Sequence, residues 1–208
     1  INKNKSKKGQ LVMRAFFSQD RWIEFQYSLL PDSYLLDYSI TSSNFQSFID
    51  PSGLNRLEWN LKSFRNSKSV EYENRYTELT YGYENDKVNE LSITGTDEEK
   101  VDEIQWISYK QHFFNSILIP DKKINNVFLK SENLVQSEDK KEKYTKLYSS
   151  VIPLKNNGVF DFKFKWYFGP SQYSTLSNYN IGIEKSVNYG WGIFGWINKY
   201  IFIPLFNF

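Results

Sequence analysis

Alternation of aromatic and charged side chains is clearest in the stretch Phe160-Asp161-Phe162-Lys163-Phe164-Lys165-Trp166-Tyr167-Phe168. Residues two apart in a β-strand point to the same face, so one face of this stretch is aromatic and the other is charged. A slip of one residue in the strand pairing would expose the aromatic face to solvent. The stretch therefore predicts a half-buried strand with a fixed register.

The same period of two recurs in shorter segments before this stretch, and turn-forming residues such as Pro31-Asp32 separate them. Two other segments lack this alternation. Residues 106–119 are nearly all apolar or aromatic and predict one strand buried on both faces, and residues 95–98 predict a loop. The predicted half-buried strands are centred on Ile23-Phe25-Tyr27-Leu29, Leu36-Tyr38-Ile40, Leu57-Trp59-Leu61 and Val70-Tyr72-Asn74-Tyr76.

Composition excludes several classes of site. Lysine and arginine total 26 against 24 acidic residues, so the net charge of +2 leaves no concentrated basic face for nucleic acid. The chain has no cysteine, which excludes disulfides and thiolate ligands. Its one histidine, His112, lies in an apolar run and is interpreted as structural. No cofactor or metal is expected.

A chain of 208 residues fits one large domain with short flanking segments. Residues 1–10 are rich in Lys, Asn and Ser and predict a flexible linker. Residues 11–170 contain the alternating segments and predict a β-sandwich. After Gly169-Pro170 the apolar residues fall at helical spacing, with Ser171 as the expected cap, so residues 171–208 predict a helical linker. The predicted class is mainly β, with one or two C-terminal helices.

Residues 189–208 carry a membrane signal, because Lys199 is their only charge and aromatic residues are dense among them. Glycines and Pro204 interrupt the segment, so a position at the lipid interface is favoured over a spanning helix. Trp and Tyr rings suit the headgroup layer. The alternative is a buried helix packed on the sheet. The residues predicted at the membrane interface are Trp191, Phe194, Trp196, Lys199, Tyr200 and Phe202.

One motif and three further segments resemble the first periplasmic domain of the YidC membrane protein insertase family. The motif consists of Tyr167, Phe168, Gly169, Pro170, Tyr173 and Leu176. Similar segments occur in the family's order at Pro31-Asp32-Ser33-Tyr34-Leu35-Leu36-Asp37-Tyr38, Trp106-Ile107-Ser108-Tyr109-Lys110-Gln111-His112-Phe113-Phe114 and Tyr189-Gly190-Trp191-Gly192-Ile193-Phe194-Gly195-Trp196-Ile197-Asn198.

This resemblance implies a large antiparallel β-supersandwich that faces the periplasm and is joined through C-terminal helices to the next transmembrane helix. Family members insert and fold inner-membrane proteins, alone or beside the Sec translocon. The implied partners are nascent membrane proteins, Sec subunits and the lipid surface, with no nucleic acid and no cofactor. The family's intramembrane groove lies outside this sequence, so the expected role is an accessory platform or docking surface and not an enzyme.

Two alternative functions belong to other classes. A mutarotase-like or glycosidase-like sandwich would need paired catalytic groups, but one histidine cannot form a two-histidine site, and no carboxylate pair is recognisable from spacing. A carbohydrate-binding module could stack a sugar on Trp22 or Trp59, although both tryptophans are also suited to a core position on alternating strands.

Overall fold

The computed structural model of the chain describes residues 8–46, 55–135, 143–155, 158–187 and 205. Most of these residues lie in antiparallel strands, with two short α-helices and one 3-10 helix. The strands form two sheets whose facing side chains share one core. The fold is therefore a β-sandwich with short C-terminal helices, which confirms the predicted class.

The strands within the described ranges are β1 (Gly9–Phe16), β2 (Trp22–Leu29), β3 (Leu35–Ser43), β4 (Arg56–Phe64), β5 (Glu78–Tyr83), β6 (Lys87–Glu90), β7 (Thr96–Val101), β8 (Ile104–Lys110), β9 (Phe114–Pro120), β10 (Val127–Asn133), β11 (Tyr144–Pro153) and β12 (Asp161–Pro170). The helices are α1 (Val70–Arg75), α2 (Tyr173–Ser177) and a 3-10 helix at Ile183–Ser186.

The larger sheet has eight strands in the order β1-β2-β3-β12-β9-β8-β5-β6, and the smaller has four in the order β4-β11-β10-β7. Strand β12, the last in sequence among the described residues, lies inside the larger sheet between β3 and β9. Phe164 of β12 is paired with Tyr38 on one side and with Pro120 on the other. The alternating aromatic stretch is therefore the strand that joins the two parts of the larger sheet.

The core between the sheets combines aliphatic side chains with stacked aromatic rings. Trp59 of the smaller sheet meets Trp166 of β12 edge to face, with ring centroids 4.7 Å apart. Tyr109 stacks on Trp59 at 3.7 Å and donates its hydroxyl hydrogen to the Trp59 carbonyl oxygen at 3.0 Å. Burial of these rings supplies large apolar area, and the buried hydroxyl keeps a partner.

The run from Trp106 to Ile119 is two strands and not one. β8 and β9 form a hairpin, and the turn between them contains Gln111 and His112. The Gln111 N–H donates to the Phe114 carbonyl oxygen at 2.8 Å and closes the turn. The prediction of a single strand was wrong because this turn contains none of the Gly, Pro, Asn or Asp residues that usually mark a turn.

The segment 70–76 was predicted as a strand but forms α1. The Ser69 hydroxyl accepts a hydrogen bond from the Tyr72 N–H at 3.1 Å, which caps the helix. Glu71 and Glu73 lie in the first turn, where negative charge favours a helix. These local signals outweigh the alternation of apolar residues.

Three smaller differences concern element ends. Gly9 and Gln10, assigned to the linker, belong to β1, and residues 96–98, assigned to a loop, begin β7. β7 consists mostly of charged residues, as is common for a strand at a sheet edge. The helix after Pro170 has only five residues and is capped at Gln172 without a side-chain bond, so Ser171 is not its cap.

Candidate functional site

The motif residues form the corner where β12 passes into α2. Tyr167 is completely buried on the face of the larger sheet that points away from the sandwich core. Its hydroxyl donates to the Pro170 carbonyl oxygen at 2.8 Å, so the ring folds back over Gly169. A side chain at Gly169 would place Cβ 2.7 Å from the Tyr167 hydroxyl oxygen and 2.8 Å from Cγ of Tyr34. Position 169 therefore requires glycine, because the rings of Tyr167 and Tyr34 leave no room for a side chain.

A second apolar cluster lies on this outer face and joins the C-terminal helices to the sheet. Leu176 of α2 and Ile183 of the 3-10 helix are completely buried against Trp106, Ile117 and Tyr167. Tyr173 begins α2, and Phe168 points to the opposite face and is exposed. The structure therefore brings Tyr167, Gly169, Pro170 and Leu176 together at one docking corner.

Buried polar groups fix the position of the helices along the sheet. The Ser108 hydroxyl donates to Asn115 Oδ1 at 2.8 Å, and Asn115 Nδ2 donates to the Ser186 hydroxyl oxygen at 3.0 Å. A further hydrogen bond holds the helical segment in place: the Tyr34 backbone N–H donates to the Tyr179 hydroxyl oxygen at 3.0 Å. Buried polar bonds are costly to break without replacement, so they specify one docking geometry.

A groove of about 450 Å³ lies beside the docked helices on the same outer face. Its floor is formed by polar residues of β2, β3 and β12, and Ile119 and Ile181 line it as well. Lys165 and Asp37 form an ion pair across the groove at 2.7 Å. The groove mixes apolar walls with backbone and side-chain polar groups, which suits an extended polypeptide.

A second cavity of about 340 Å³ opens at the end of the sandwich where β9 passes into β10. It is lined by Lys122, Lys155 and Lys163 around an apolar floor that includes Phe162. Within the described ranges, no three His, Cys, Asp or Glu side chains are close enough to bind a metal ion.

His112 and the two candidate sugar-stacking tryptophans lie in packed positions. The His112 ring stacks on Tyr76, with centroids 5.1 Å apart, and meets Tyr72 edge to face at 5.0 Å. Tyr109 covers one face of Trp59, and the Arg14 guanidinium lies 4.3 Å from the centre of the Trp22 ring. These contacts favour the structural interpretation of His112 and Trp59. Trp22 points to the face of β2 opposite to Ile23 and Phe25, so its predicted core position is wrong.

A buried lysine lies in the smaller sheet, at the end far from the cavity of about 340 Å³. Lys146 of β11 is completely buried and donates to the Ile93 carbonyl oxygen and, at 3.5 Å, to Asn133 Oδ1. Loss of solvation lowers the pKa of Lys146 to about 8, and the nearby negative charge of Glu78 opposes that shift. Glu78 itself is buried in an ion pair with Lys110 at 2.8 Å.

We expect the free energy of unfolding to rise between about pH 8 and pH 10. In that range the unfolded chain keeps the Lys146 proton, with a pKa near 10.5, whereas the folded chain loses it. Above pH 10 the trend reverses, because burial raises the pKa of Tyr109 and Tyr148, so the unfolded chain loses protons first. Urea unfolding at successive pH values measures both changes.

Lys146→Met is the matched test, because methionine has similar length and no charge. It removes the desolvation cost of the ammonium, which by its pKa shift is roughly 2–4 kcal/mol at neutral pH. The variant should be the more stable protein at pH 7.5, and its advantage should shrink towards pH 10. Parallel stability curves for the two proteins would contradict the assignment of Lys146.

The residues predicted at the membrane interface, Trp191, Phe194, Trp196, Lys199, Tyr200 and Phe202, lie outside the described residues. So do most of the residues of the predicted flexible linker. In the part of the chain that the structure describes, no helix has the length and apolar character needed to cross a bilayer.

Comparison with known proteins places this architecture in a family. Residues 2–204 match the family described as YidC periplasmic domain. A protein of Azobacteroides pseudotrichonymphae genomovar. CFP2 named membrane protein insertase YidC is 34% identical over 209 residues, which are 95% of this chain and 34% of that protein. Proteins of the same name from Parabacteroides distasonis and Porphyromonas gingivalis are 30% and 31% identical, again over 95% of this chain and about a third of their own length.

The chain thus spans about a third of the length of the curated relatives it matches. The match covers the sandwich, the motif corner and the docked helices, and it agrees with the two-sheet architecture. The chain belongs to the YidC periplasmic domain family.

Proposed function

We propose that this chain is the accessory, non-catalytic domain of a membrane protein insertase and that it faces the periplasm at the bacterial inner membrane. The observation that carries the proposal is the docking of the C-terminal helices on the outer face of the larger sheet. Leu176, Ile183 and Ser186 hold these helices in one position. A membrane anchor that follows them would therefore fix the height and orientation of the whole sandwich.

The proposed partners are the lipid surface, nascent membrane proteins and Sec translocon subunits. Two features of the structure support polypeptide docking. The groove beside the docked helices has room for an extended segment, and β1 is a fully exposed edge strand whose outward backbone groups can pair with another strand. An insertase activity belongs to the longer parent protein, since substrate insertion requires its membrane-embedded part.

Carbohydrate binding or a mutarotase-like activity is the competing proposal. Trp59 is stacked on Tyr109 in the core and offers no open platform, and the Arg14 guanidinium covers one face of the Trp22 ring. A titration with monosaccharides that produced saturable binding, unaffected by removal of the C-terminal segment, would favour it over the membrane platform.

The direct test is co-sedimentation with vesicles of phosphatidylethanolamine and phosphatidylglycerol. We expect the 208-residue chain to sediment with the vesicles and a version ending at Ser186 to stay in solution. Trp191→Ser with Trp196→Ser should weaken binding without removing the segment, because each indole contributes interfacial area. Far-ultraviolet circular dichroism of every protein checks that the sandwich remains folded.

Two results would contradict the proposal. Equal sedimentation of the full chain and the shortened version would remove the anchoring role of the C-terminal segment. Loss of the β-sheet spectrum on Trp191→Ser with Trp196→Ser would indicate a segment packed in the core, as in the buried-helix alternative.

A further inference from the structure

Exposed aromatic side chains collect at one end of the sandwich, on two connections that are far apart in sequence: the one from β4 through α1 to β5, and the β8–β9 turn. We call this group the aromatic end. Phe113 and Phe114, in and after the β8–β9 turn, are 53% and 56% exposed. The members of the aromatic end are Phe64, Tyr72, Tyr76, Phe113 and Phe114, and the partly buried His112 ring packs beneath them.

Direct contacts hold these connections together. Asn66, just after β4, donates through Nδ2 to Gln111 Oε1 at 3.0 Å. The His112 ring is packed against both tyrosines of the α1 region and lies 4.0 Å from the Phe113 ring. These contacts hold the two connections side by side at this end of the sandwich. An exposed apolar surface of this kind on a soluble domain usually marks a contact with a partner or a membrane.

The chain leaves the sheet at this surface. Pro170, the last residue of β12, is paired with Phe114, and the Ser171 N–H donates to the Phe113 carbonyl oxygen at 2.8 Å. After the docked helices the chain returns to the same place, since Ser186 is bonded to Asn115, the residue after Phe114. Ser186, three residues before the segment 189–208 proposed as the membrane anchor, thus lies next to the aromatic end.

The opposite end of the sandwich has a different character. Its connections are rich in charge and amide groups, as in Glu84-Asn85-Asp86 and Asp121-Lys122-Lys123. One apolar pair, Phe16 and Phe17 at the β1–β2 turn, is 61% and 64% exposed there. The molecule therefore contains two matched Phe-Phe pairs, each at a hairpin turn, at opposite ends of the larger sheet.

We infer that the aromatic end lies against the lipid headgroup layer and forms a second membrane contact beside the C-terminal anchor. Aromatic rings with a polar edge, such as tyrosine, favour this layer, and phenylalanine can reach the acyl boundary below it. The inference rests on the proposed anchoring function, because the exit point of the chain sets which end faces the bilayer. It adds an orientation in which the charged end points into the periplasm.

Single cysteines provide the test, since the sequence contains no cysteine. Phe114→Cys and Phe16→Cys in the 208-residue chain are each labelled with an environment-sensitive fluorophore and mixed with phosphatidylethanolamine–phosphatidylglycerol vesicles. We expect a blue shift and severalfold weaker iodide quenching for the label at position 114. The label at position 16 should remain as accessible as it is without vesicles.

Paired substitutions measure the contribution to binding. Phe113→Ser with Phe114→Ser should weaken the vesicle partition coefficient about tenfold, because two half-exposed rings lose their lipid contact. Phe16→Ser with Phe17→Ser is the control of equal composition and should leave the coefficient unchanged. Circular dichroism and a thermal melt identify any variant whose sandwich has unfolded. In that case the two cysteine labels alone test whether the aromatic end contacts the bilayer.

Each remaining outcome overturns the inference in a distinguishable way. If the whole chain binds vesicles but the label at position 114 does not respond, or the label at position 16 does, the anchor stands and the aromatic end does not face the bilayer. If the shift at position 114 occurs without lipid and grows with protein concentration, a second copy of the chain covers the surface. If the whole chain does not bind vesicles, both the anchor and the second contact fail.

Discussion

Replacing Tyr167 by alanine is expected to lower the free energy of unfolding by about 3–5 kcal/mol, as large-to-small changes at fully buried aromatic positions do. Tyr167 has no exposed surface, and its ring is packed among Tyr34, Tyr179 and the docked helices. The substitution leaves a cavity beneath the helical linker and removes the hydrogen bond to Pro170. Urea unfolding followed by circular dichroism measures the loss.

Two variants show which part of Tyr167 is responsible. Tyr167→Phe keeps the ring and should cost only about 1 kcal/mol, the usual contribution of one hydrogen bond. Lys163→Ala, on the same face of β12 but exposed, should change stability little. Unfolding midpoints that are the same for Tyr167→Ala and Lys163→Ala would mean that the helices do not depend on this docking corner.

Trp166→Asp tests the opposite face of β12 and is expected to cost at least about 3 kcal/mol, enough to unfold many domains. The indole is partly buried between the sheets and meets Trp59 edge to face. An aspartate there would place a carboxylate against aromatic rings that offer it no charged partner. A thermal melt of the purified variant should show a transition at much lower temperature, or none.

Phe168→Asp is the matched control, because Phe168 lies two residues further along the same face and is exposed at the end of the strand. It should retain a melting transition close to that of the unchanged protein. If Trp166→Asp melted at the same temperature as Phe168→Asp, the register that places the aromatic face of β12 in the core would be wrong.

Strand segments with a clear alternation could be predicted from sequence because one face is apolar throughout. The stretch from Phe160 to Phe168 and the segment Ile23–Leu29 are examples, and both appear in the structure as β12 and β2. Elements set by local hydrogen bonds, without such alternation, were not predicted. Ser69 caps α1 through a bond to Tyr72, and the β8–β9 turn contains no turn-forming residue.

The candidate sites were harder to predict than the strands. The motif corner was recognised through Gly169 and Pro170, but the reason for the glycine, the ring of Tyr167 folded over it, requires coordinates. The groove and the aromatic end each combine side chains from distant segments, such as Tyr72 and Phe113. No local pattern in the sequence brings such residues together, because strand pairing alone determines which turns meet.

The central position of β12 has a consequence for the order in which the protein is made. A chain that emerges from its N-terminus presents β3 and β9 long before residues 161–170 appear, and until then those two strands have no neighbour between them. Their open edges can pair with other extended chains during that interval. Completion of the larger sheet must therefore wait for β12, so a nascent chain halted before Pro170 would keep two open strand edges that favour aggregation.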